Sequence, residues 1–425
     1  MSSRPDAERD PPGAPGEYDA SKRQPRILAF AHGLAPGLGS ERGVGWIWAR
    51  MLATIGPTVV IARAWPGDRD ATSDAIRRLP ADQRPEVIWV DLPKWISLWH
   101  RSGTTRMQRV EYLLWQLFAL REARRRQRSS PFDLVWHLTW ANIWIGSTAS
   151  LVGPPFVYGP VGGGVGPPWR MVPGLGARGM LAEVLRAISR KLARYLNPLA
   201  RISWRRASVV LVQNPETRDW LPSSVRGKAV IFPNAMFERD LPTAELRGEG
   251  PPTALFAGRL VPWKGAALAV RAIALCPGWR LIVCGEGPQL DELRRLTQAL
   301  AIQDRVELRE WQPRDELLRI LREETDVFLF PSLHDEGPWA VAEAVAMGVP
   351  VVCLNRGGPP QLGGHAVVAS SERRTIAALA RATLSVRDSR PQVVPQRDFD
   401  SARRRLVALL EEHHLLPAST DSSGS

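Results

Sequence analysis

Two basic residues open the chemical reading. Gly258-Arg259-Leu260 closes an apolar run, and Lys264-Gly265 follows at the head of a helical pattern. A guanidinium and an ammonium at one strand–loop–helix corner, beside free helix N-terminal amides, suit a diphosphate. Two solvated surface cations would read the same way in sequence. Gly285-Glu286-Gly287-Pro288 closes the next apolar run. Glycines there permit close backbone approach to a ligand, although any strand-to-helix turn can use them. The most informative stretch is DVFLFPSLHDEGPWAVAEAVAMGVPVV, residues 326–352. Asp335 lies on its loop and Glu343 in the first turns of its helix, so both can enter one cleft at different depths and hold sugar or ribose hydroxyls. Gly337 and the amides of Trp339 and Ala340 can face a phosphate, whereas Pro338 has no N–H to offer. Glu343 could be a solvated helix residue, but its neighbours Val341, Ala342, Ala344 and Val345 make an idle carboxylate a poor reading.

These residues need a frame that brings strand ends together. Apolar, β-branched runs recur at 26–30, 58–62, 86–90, 133–138, 155–159 and 208–213, then at 253–258, 280–285, 305–310, 326–332, 349–355 and 366–369. They are apolar throughout rather than alternating, as in strands covered on both faces. Helical patterns separate them at 42–55, 106–128 and 176–206, and at 263–275, 288–301, 313–323, 339–347 and 396–412. Such alternation predicts an α/β fold of two doubly wound, Rossmann-like parallel-sheet domains facing across a cleft. Ligands of open parallel sheets sit at the carboxyl ends of the strands, which is where the motifs lie. The expected organisation is a disordered lead (1–24), a first domain (25–236), a linker (237–252) and a second domain (253–395). A helix (396–412) crosses back to the first domain, and a disordered tail (413–425) ends the chain.

Composition narrows the classes. The chain has 425 residues, enough for two cores, and no run of 18 apolar residues that could span a membrane. Its start, MSSRPDAERDPPGAPGEYDASKRQ, lacks the apolar core of a signal peptide. Cys276, Cys284 and Cys353 sit in or beside apolar runs and read as small buried hydrophobes in a reducing, cytoplasmic compartment. The net charge is +13, and residues 1–240 hold 34 basic against 20 acidic side chains while the rest is nearly balanced. An excess confined to one half points to an acidic or anionic partner of that half.

In order, FAGRLVPWKGAALAVRAI, IVCGEGP and FLFPSLHDEG…EAVAMGVPVVC resemble the C-terminal domain of glycosyltransferase family 4, the group 1 glycosyltransferases, whose architecture is the GT-B fold. In the first half PGLGSERGVGW (36–46), FDLVWHLTW (132–140), YGPVGGGVGPP (158–168) and FPN (232–234) resemble the same family, so the likeness runs over about residues 25–412. The resemblance implies retaining transfer of a sugar from a nucleotide-diphosphate-sugar, the co-substrate, to a glycan or lipid-linked acceptor hydroxyl. It implies no other cofactor. Arg259 and Lys264 would bind the diphosphate and stabilise it as it leaves, and Glu343 would hold the ribose. Asp335 would take the place of the first glutamate of a Glu-x7-Glu pair, with Glu336 as the rival acid one residue on. Glu286, Gly287, Gly337, Trp339 and Ala340 would line the donor, Gly39 would bring amides to the phosphates, and His137 would lie beside the donor sugar. A lone His on a strand is also a common structural residue. No Asp-x-Asp cluster is present to hold a metal, so none is expected. A nucleotide-sugar-binding protein without transfer activity and an epimerase remain the alternatives on this frame.

Two basic stretches concern the partner. Residues 176–206 carry eight basic residues and one acidic one. Leu181, Val184, Leu185, Ile188, Leu192, Tyr195 and Leu199 fall on one face, and Arg186, Arg190 and Arg194 on the other. The apolar face is expected to pack on its own sheet, leaving an arginine stripe for solvent or for an anionic membrane surface. Residues 121–128 end a helix with further arginines and could serve the same surface. Trp95 and Trp99 could anchor at an interface or pack inside. A nucleic-acid partner would leave the second-half motifs without a purpose, and none is expected.

Overall fold

The computed structural model describes residues 23–37, 40–93, 105–237, 241–244, 250–386 and 398–416. Gly39, Trp95, Trp99, residues 1–22 of the expected lead, 417–425 of the expected tail, and part of the linker lie outside the described residues. The first sheet contains β1 (Ile27–Ala31), β2 (Thr58–Ala62), β3 (Glu86–Trp89), β4 (Leu134–Thr139), β5 (Phe156–Val161), β6 (Ala207–Val212) and β7 (Ala229–Ile231). Their order is β3-β2-β1-β4-β5-β6-β7, with every pair parallel. β1, β2, β4 and β5 are buried at every position, which is why their sequences do not alternate. Around them lie α1 (Ser40–Ala53), α2 (Asp68–Arg78), α3 (Thr105–Ser129), α4 (Gly176–Leu196), α5 (Pro198–Arg206), α6 (Pro215–Trp220) and α7 (Ser223–Arg226).

The pattern at 176–206 predicts one helix and the structure has two. The Asn197 side chain accepts from the amides of Leu199 and Ala200, and Pro198 takes the first helical position, so a new helix starts there. The orientation of α4 also reverses the expectation. Leu181, Leu185, Ile188, Leu192 and Tyr195 are 50–58% exposed, whereas Glu183 is buried. Partners explain the reversal: Glu183 reaches His334, Arg190 donates to the Gly164 carbonyl, and Arg186 lies over Trp263, all on the cleft side. The polar face is therefore the inner one.

The second sheet contains β8 (Thr253–Ala257), β9 (Arg280–Cys284), β10 (Val306–Arg309), β11 (Val327–Phe330), β12 (Val351–Leu354) and β13 (His365–Val367), ordered β10-β9-β8-β11-β12-β13 and all parallel. It is wrapped by α8 (Ala266–Ala274), α9 (Leu290–Ala299), α10 (Arg314–Glu323), α11 (Trp339–Ala346) and α12 (Glu372–Val386). The three cysteines are buried and unbridged. The last helix, α13 (Phe399–Glu412), returns to the first domain: Leu406, Leu409 and Leu410 share a core with Ile27, Trp48 and Met236. Phe237 and Asp398, the residue ahead of α13, form a parallel bridge.

Candidate active site in the interdomain cleft

A cavity of about 550 Å³ lies where the carboxyl ends of the two sheets meet. The second domain contributes Arg259 and Lys264 from the turn after β8, the loop 334–337 after β11, and Trp339 at the head of α11. Lys264 ends a short 3-10 turn closed by Gly265 at φ 83°, where a Cβ would lie 2.3 Å from the Pro331 carbonyl oxygen. From there its ammonium donates to Asp335 Oδ2 at 2.5 Å and lies 5.4 Å from the Phe330 ring centre. Arg259 is exposed and makes no ion pair with the described residues. One free cation and one already neutralised cation thus face the same space.

Glu336 turns the other way. Its Oε2 accepts from Asn214 Nδ2 at 2.7 Å and from Thr217 Oγ1 at 2.8 Å, and its Oε1 accepts from the Val165 amide at 3.2 Å. All three donors belong to the first domain, so Glu336 joins the domains while Asp335 stays with the cations. Arg356 Nη2 donates to the Gly166 carbonyl at 2.7 Å, and the Gly357 amide to Glu216 Oε1 at 2.8 Å, continuing the seam. Gly337 is required by this closeness, because a Cβ would fall 2.2 Å from Gln213 Oε1.

The first domain supplies side chains that motif reading does not single out. Arg109 of α3 and Arg186 of α4 add two cations to the wall, and Glu41, Gln213 and Asn234 add polar groups. Asn234 lines the cavity, and its Oδ1 is buried in the wall without a hydrogen-bond partner. His334 stacks on Trp263 with centroids 5.9 Å apart, and its Nε2 lies 2.9 Å from Glu183 Oε1. Burial alone would raise the Glu183 pKa, but His334, Arg186 and Arg190 more than offset it and hold the carboxyl below its ordinary value. FPN and the arginine stripe already contained Asn234 and Arg186; the missing signal was which face turns inward.

A second cavity of about 670 Å³ adjoins the first through Arg259. Glu286, Gly287 and Ala340 line it, together with Trp311, which is 64% exposed. The sequence-predicted donor residues thus divide between two connected spaces with Arg259 common to both.

Two predicted residues line neither space. Glu343 is buried one turn into α11, and Arg314 Nε donates to its Oε1 at 2.6 Å. Burial raises its pKa and Arg314 partly opposes the shift. His137 lies inside β4, 1% exposed, with Nε2 donating to the Trp140 carbonyl at 3.0 Å. Burial pushes its pKa down to about 4, so the ring is neutral at neutral pH. A sealed strand position, rather than a place beside a sugar, is what the structure gives His137. Among the described residues, no cluster of three or more His, Cys, Asp or Glu side chains is arranged to hold a metal ion, and no helix is long and apolar enough to cross a membrane.

With this geometry in view, the likenesses to known proteins can be stated. Residues 238–394 match the family described as "Glycosyl transferases group 1". An exopolysaccharide phosphotransferase of Streptomyces coelicolor is 35% identical over 166 residues, which is 35% of this chain and 16% of that protein. A D-inositol 3-phosphate glycosyltransferase of Mycolicibacterium smegmatis is 37% identical over 111 residues, 25% of each chain. This chain therefore matches only a quarter or less of the length of these two relatives. The solved structure of Anabaena HepE in complex with UDP and glucose superposes with a TM-score of 0.56 at 14% identity, covering 92% of this chain and all of that one. Both parallel sheets thus agree with the two-domain GT-B framework, and the motif-bearing second domain, residues 238–394, matches the group 1 glycosyltransferases.

Proposed function

We propose that this protein is a retaining glycosyltransferase that moves a sugar from a nucleoside-diphosphate-sugar to a hydroxyl of a glycan or lipid-linked acceptor. One observation carries the reading: Arg259 is shared by two adjoining cavities, one holding Lys264 and Asp335 and the other Glu286, Gly287 and Trp311. That is the layout a molecule with a diphosphate between two ring systems requires. The nucleoside lies in the Trp311 cavity, the diphosphate at Arg259 and Lys264, and the sugar in the cleft. The solved relative holding UDP and glucose supports this class of donor.

Departure of the diphosphate builds negative charge on its oxygens and positive charge on the sugar ring. Arg259 and Lys264 stabilise the former, each contributing a few kcal/mol, roughly the effect of one oriented donor at a developing oxyanion. No metal is needed for that charge. Asp335 is held by Lys264 and Glu336 by three donors, which leaves neither as a ready nucleophile and favours same-face departure. The leaving phosphate then takes the acceptor proton. The outer face of α4 is the basis for the membrane part of the reading. Contiguous exposed apolar surface marks an interaction site, and exposed Arg178, Lys191, Arg201 and Arg205 lie along α4 and α5. The protein works in the cytoplasm with this face on an anionic bilayer.

A thermal-shift screen against UDP-, GDP- and ADP-sugars tests the donor. One series should raise the melting temperature of the wild type. With the matched donor, transfer or slow donor hydrolysis should be measurable and lost in Lys264→Ala. Stabilisation without any turnover would leave a binding protein instead.

A further inference from the structure

Helix α4 is fastened to both domains, and it meets the second one through side chains that the donor does not use. Just ahead of it, Met171 and Leu175 pack into the core of the second domain. Glu183, Arg186 and Arg190 then follow at i, i+3 and i+7, on one helical face. Glu183 Oε1 lies 2.9 Å from His334 Nε2, and the Arg186 guanidinium lies 5.4 Å from the centre of the Trp263 ring. Both partners belong to the second domain. Further along, Arg190 donates to the Gly164 carbonyl and Asn197 Nδ2 to the Trp144 carbonyl at 2.7 Å, both in the first domain.

Those second-domain partners are the chain neighbours of the paired charges in the cleft. Trp263 precedes Lys264, and His334 precedes Asp335. Their rings stack at 13° with centroids 5.9 Å apart, and the Trp263 carbonyl accepts from the Leu333 amide at 2.8 Å and from the Ser332 hydroxyl at 3.2 Å. The turn carrying Lys264 and the loop carrying Asp335 therefore form one unit. Glu336 ties the far side of that loop to the first domain, and Glu183 holds the near side. Glu183 is 1% exposed and His334 8%. A buried pair of this kind adds little net stability, because desolvation offsets the attraction and an apolar side chain of similar volume often serves the fold as well. What it supplies is direction, since a hydrogen bond at Nε2 fixes the His334 ring against Trp263. Lysine carries its charge on a flexible four-carbon stem, so an ammonium meant for a diphosphate needs its own turn held still.

We propose that Glu183 is a positioning residue for the transfer: by holding the His334 ring on Trp263 it sets the turn that presents Lys264 to the leaving diphosphate. Glu183 itself lines neither the cleft nor the Trp311 cavity. Its effect passes through two stacked rings into the backbone beside the cation and beside Asp335. The inference rests on the transferase reading and adds to it a first-domain residue on which a second-domain charge depends.

Hydrolysis of the UDP-, GDP- or ADP-sugar that stabilises the wild type tests the proposal on the full chain without an acceptor. Glu183→Leu keeps the volume and removes the hydrogen-bond acceptor, Glu183→Gln keeps both, and His334→Ala removes the ring. Glu183→Leu and His334→Ala should each lower kcat at least about tenfold and leave the donor KM within about threefold. The melting temperature of Glu183→Leu should stay level or rise. Glu183→Gln should keep kcat within about threefold of the wild type. Adding Glu183→Leu to His334→Ala should lower kcat by less than about a further twofold, because one acts through the other. A purely structural role would move the melting temperature and spare kcat. Turnover that survives Glu183→Leu, turnover lost as far in Glu183→Gln, or losses that multiply in the double variant would overturn the proposal. The rise in melting temperature with the matching nucleoside diphosphate should persist in every variant, which shows that each is folded. A wild type that turns over none of these sugars would overturn the transferase reading, and this inference with it.

Discussion

Lys264 and Asp335 neutralise one another in the cleft, ammonium to carboxylate at 2.5 Å, at the spot where a diphosphate would need the cation. Donor binding must therefore share Lys264 between Asp335 and phosphate oxygens. Lys264→Ala should lower turnover by at least about 100-fold, the scale of losing one oriented charge at a leaving group. Asp335→Asn releases the ammonium, so the nucleoside diphosphate that the donor screen identifies should bind more tightly while transfer slows. Calorimetric titration with that diphosphate beside a transfer assay separates the two effects, and weaker binding in Asp335→Asn would contradict the competition.

Glu336 is expected to behave as the opposite of its neighbour. Glu336→Ala strands the Asn214 amide, the Thr217 hydroxyl and the Val165 N–H at the domain seam. Loss of a carboxylate from such donors should destabilise the protein by about 2–4 kcal/mol. Asp335→Asn should cost much less. Urea unfolding of both variants measures the contrast, and equal losses would remove the distinction between a seam residue and a cleft residue.

The outer face of α4 gives a prediction about lipid. Leu181→Glu with Ile188→Glu should abolish flotation with vesicles containing anionic lipid. Both side chains are half exposed or more, so the melting temperature should hardly move. Flotation that persists in the double variant, or that is absent in the wild type, would refute the membrane part of the reading.

Glu41 and His137 give opposite pH slopes. Burial, only partly offset by the Ala141 amide, pushes the Glu41 pKa from 4.5 up to about 7. Between those values the folded state keeps a proton that the unfolded chain releases, so this group makes stability fall as pH rises. His137 is pushed from 6.5 down to about 4, so over that window the unfolded chain binds the extra proton and stability rises with pH. In the wild type the slopes oppose each other between about pH 4.5 and 6.5. Glu41→Gln should expose a rising limb there, and His137→Asn a falling one. Denaturant midpoints at pH 4.5, 5.5, 6.5 and 7.5 check both signs.

Strands that are apolar from end to end announce buried parallel sheets, and most of β1–β13 can be read from the sequence for that reason. β7 is three residues long behind Lys228, too short for a pattern. α2 (DRDATSDAIRR) is almost wholly polar, and the inner stripe of α12 is built largely of alanine and threonine, so neither announces a helix. Among the candidate site residues, Arg259, Lys264 and Asp335 are legible because one local corner or loop positions each. The inward turn of α4 is not, since the partner of Glu183 lies 151 residues away in sequence. An amphipathic pattern says that two faces differ, not which one meets protein.

The bridge between Phe237 and Asp398 lies beside α13, which follows the second domain in the chain yet plugs Leu406, Leu409 and Leu410 into the interior of the first. The two halves of the molecule are thus interlocked by sequence order, the end of the chain completing what its beginning starts. It also follows that a fragment cut after residue 236 would lose part of its own interior and should not stand alone.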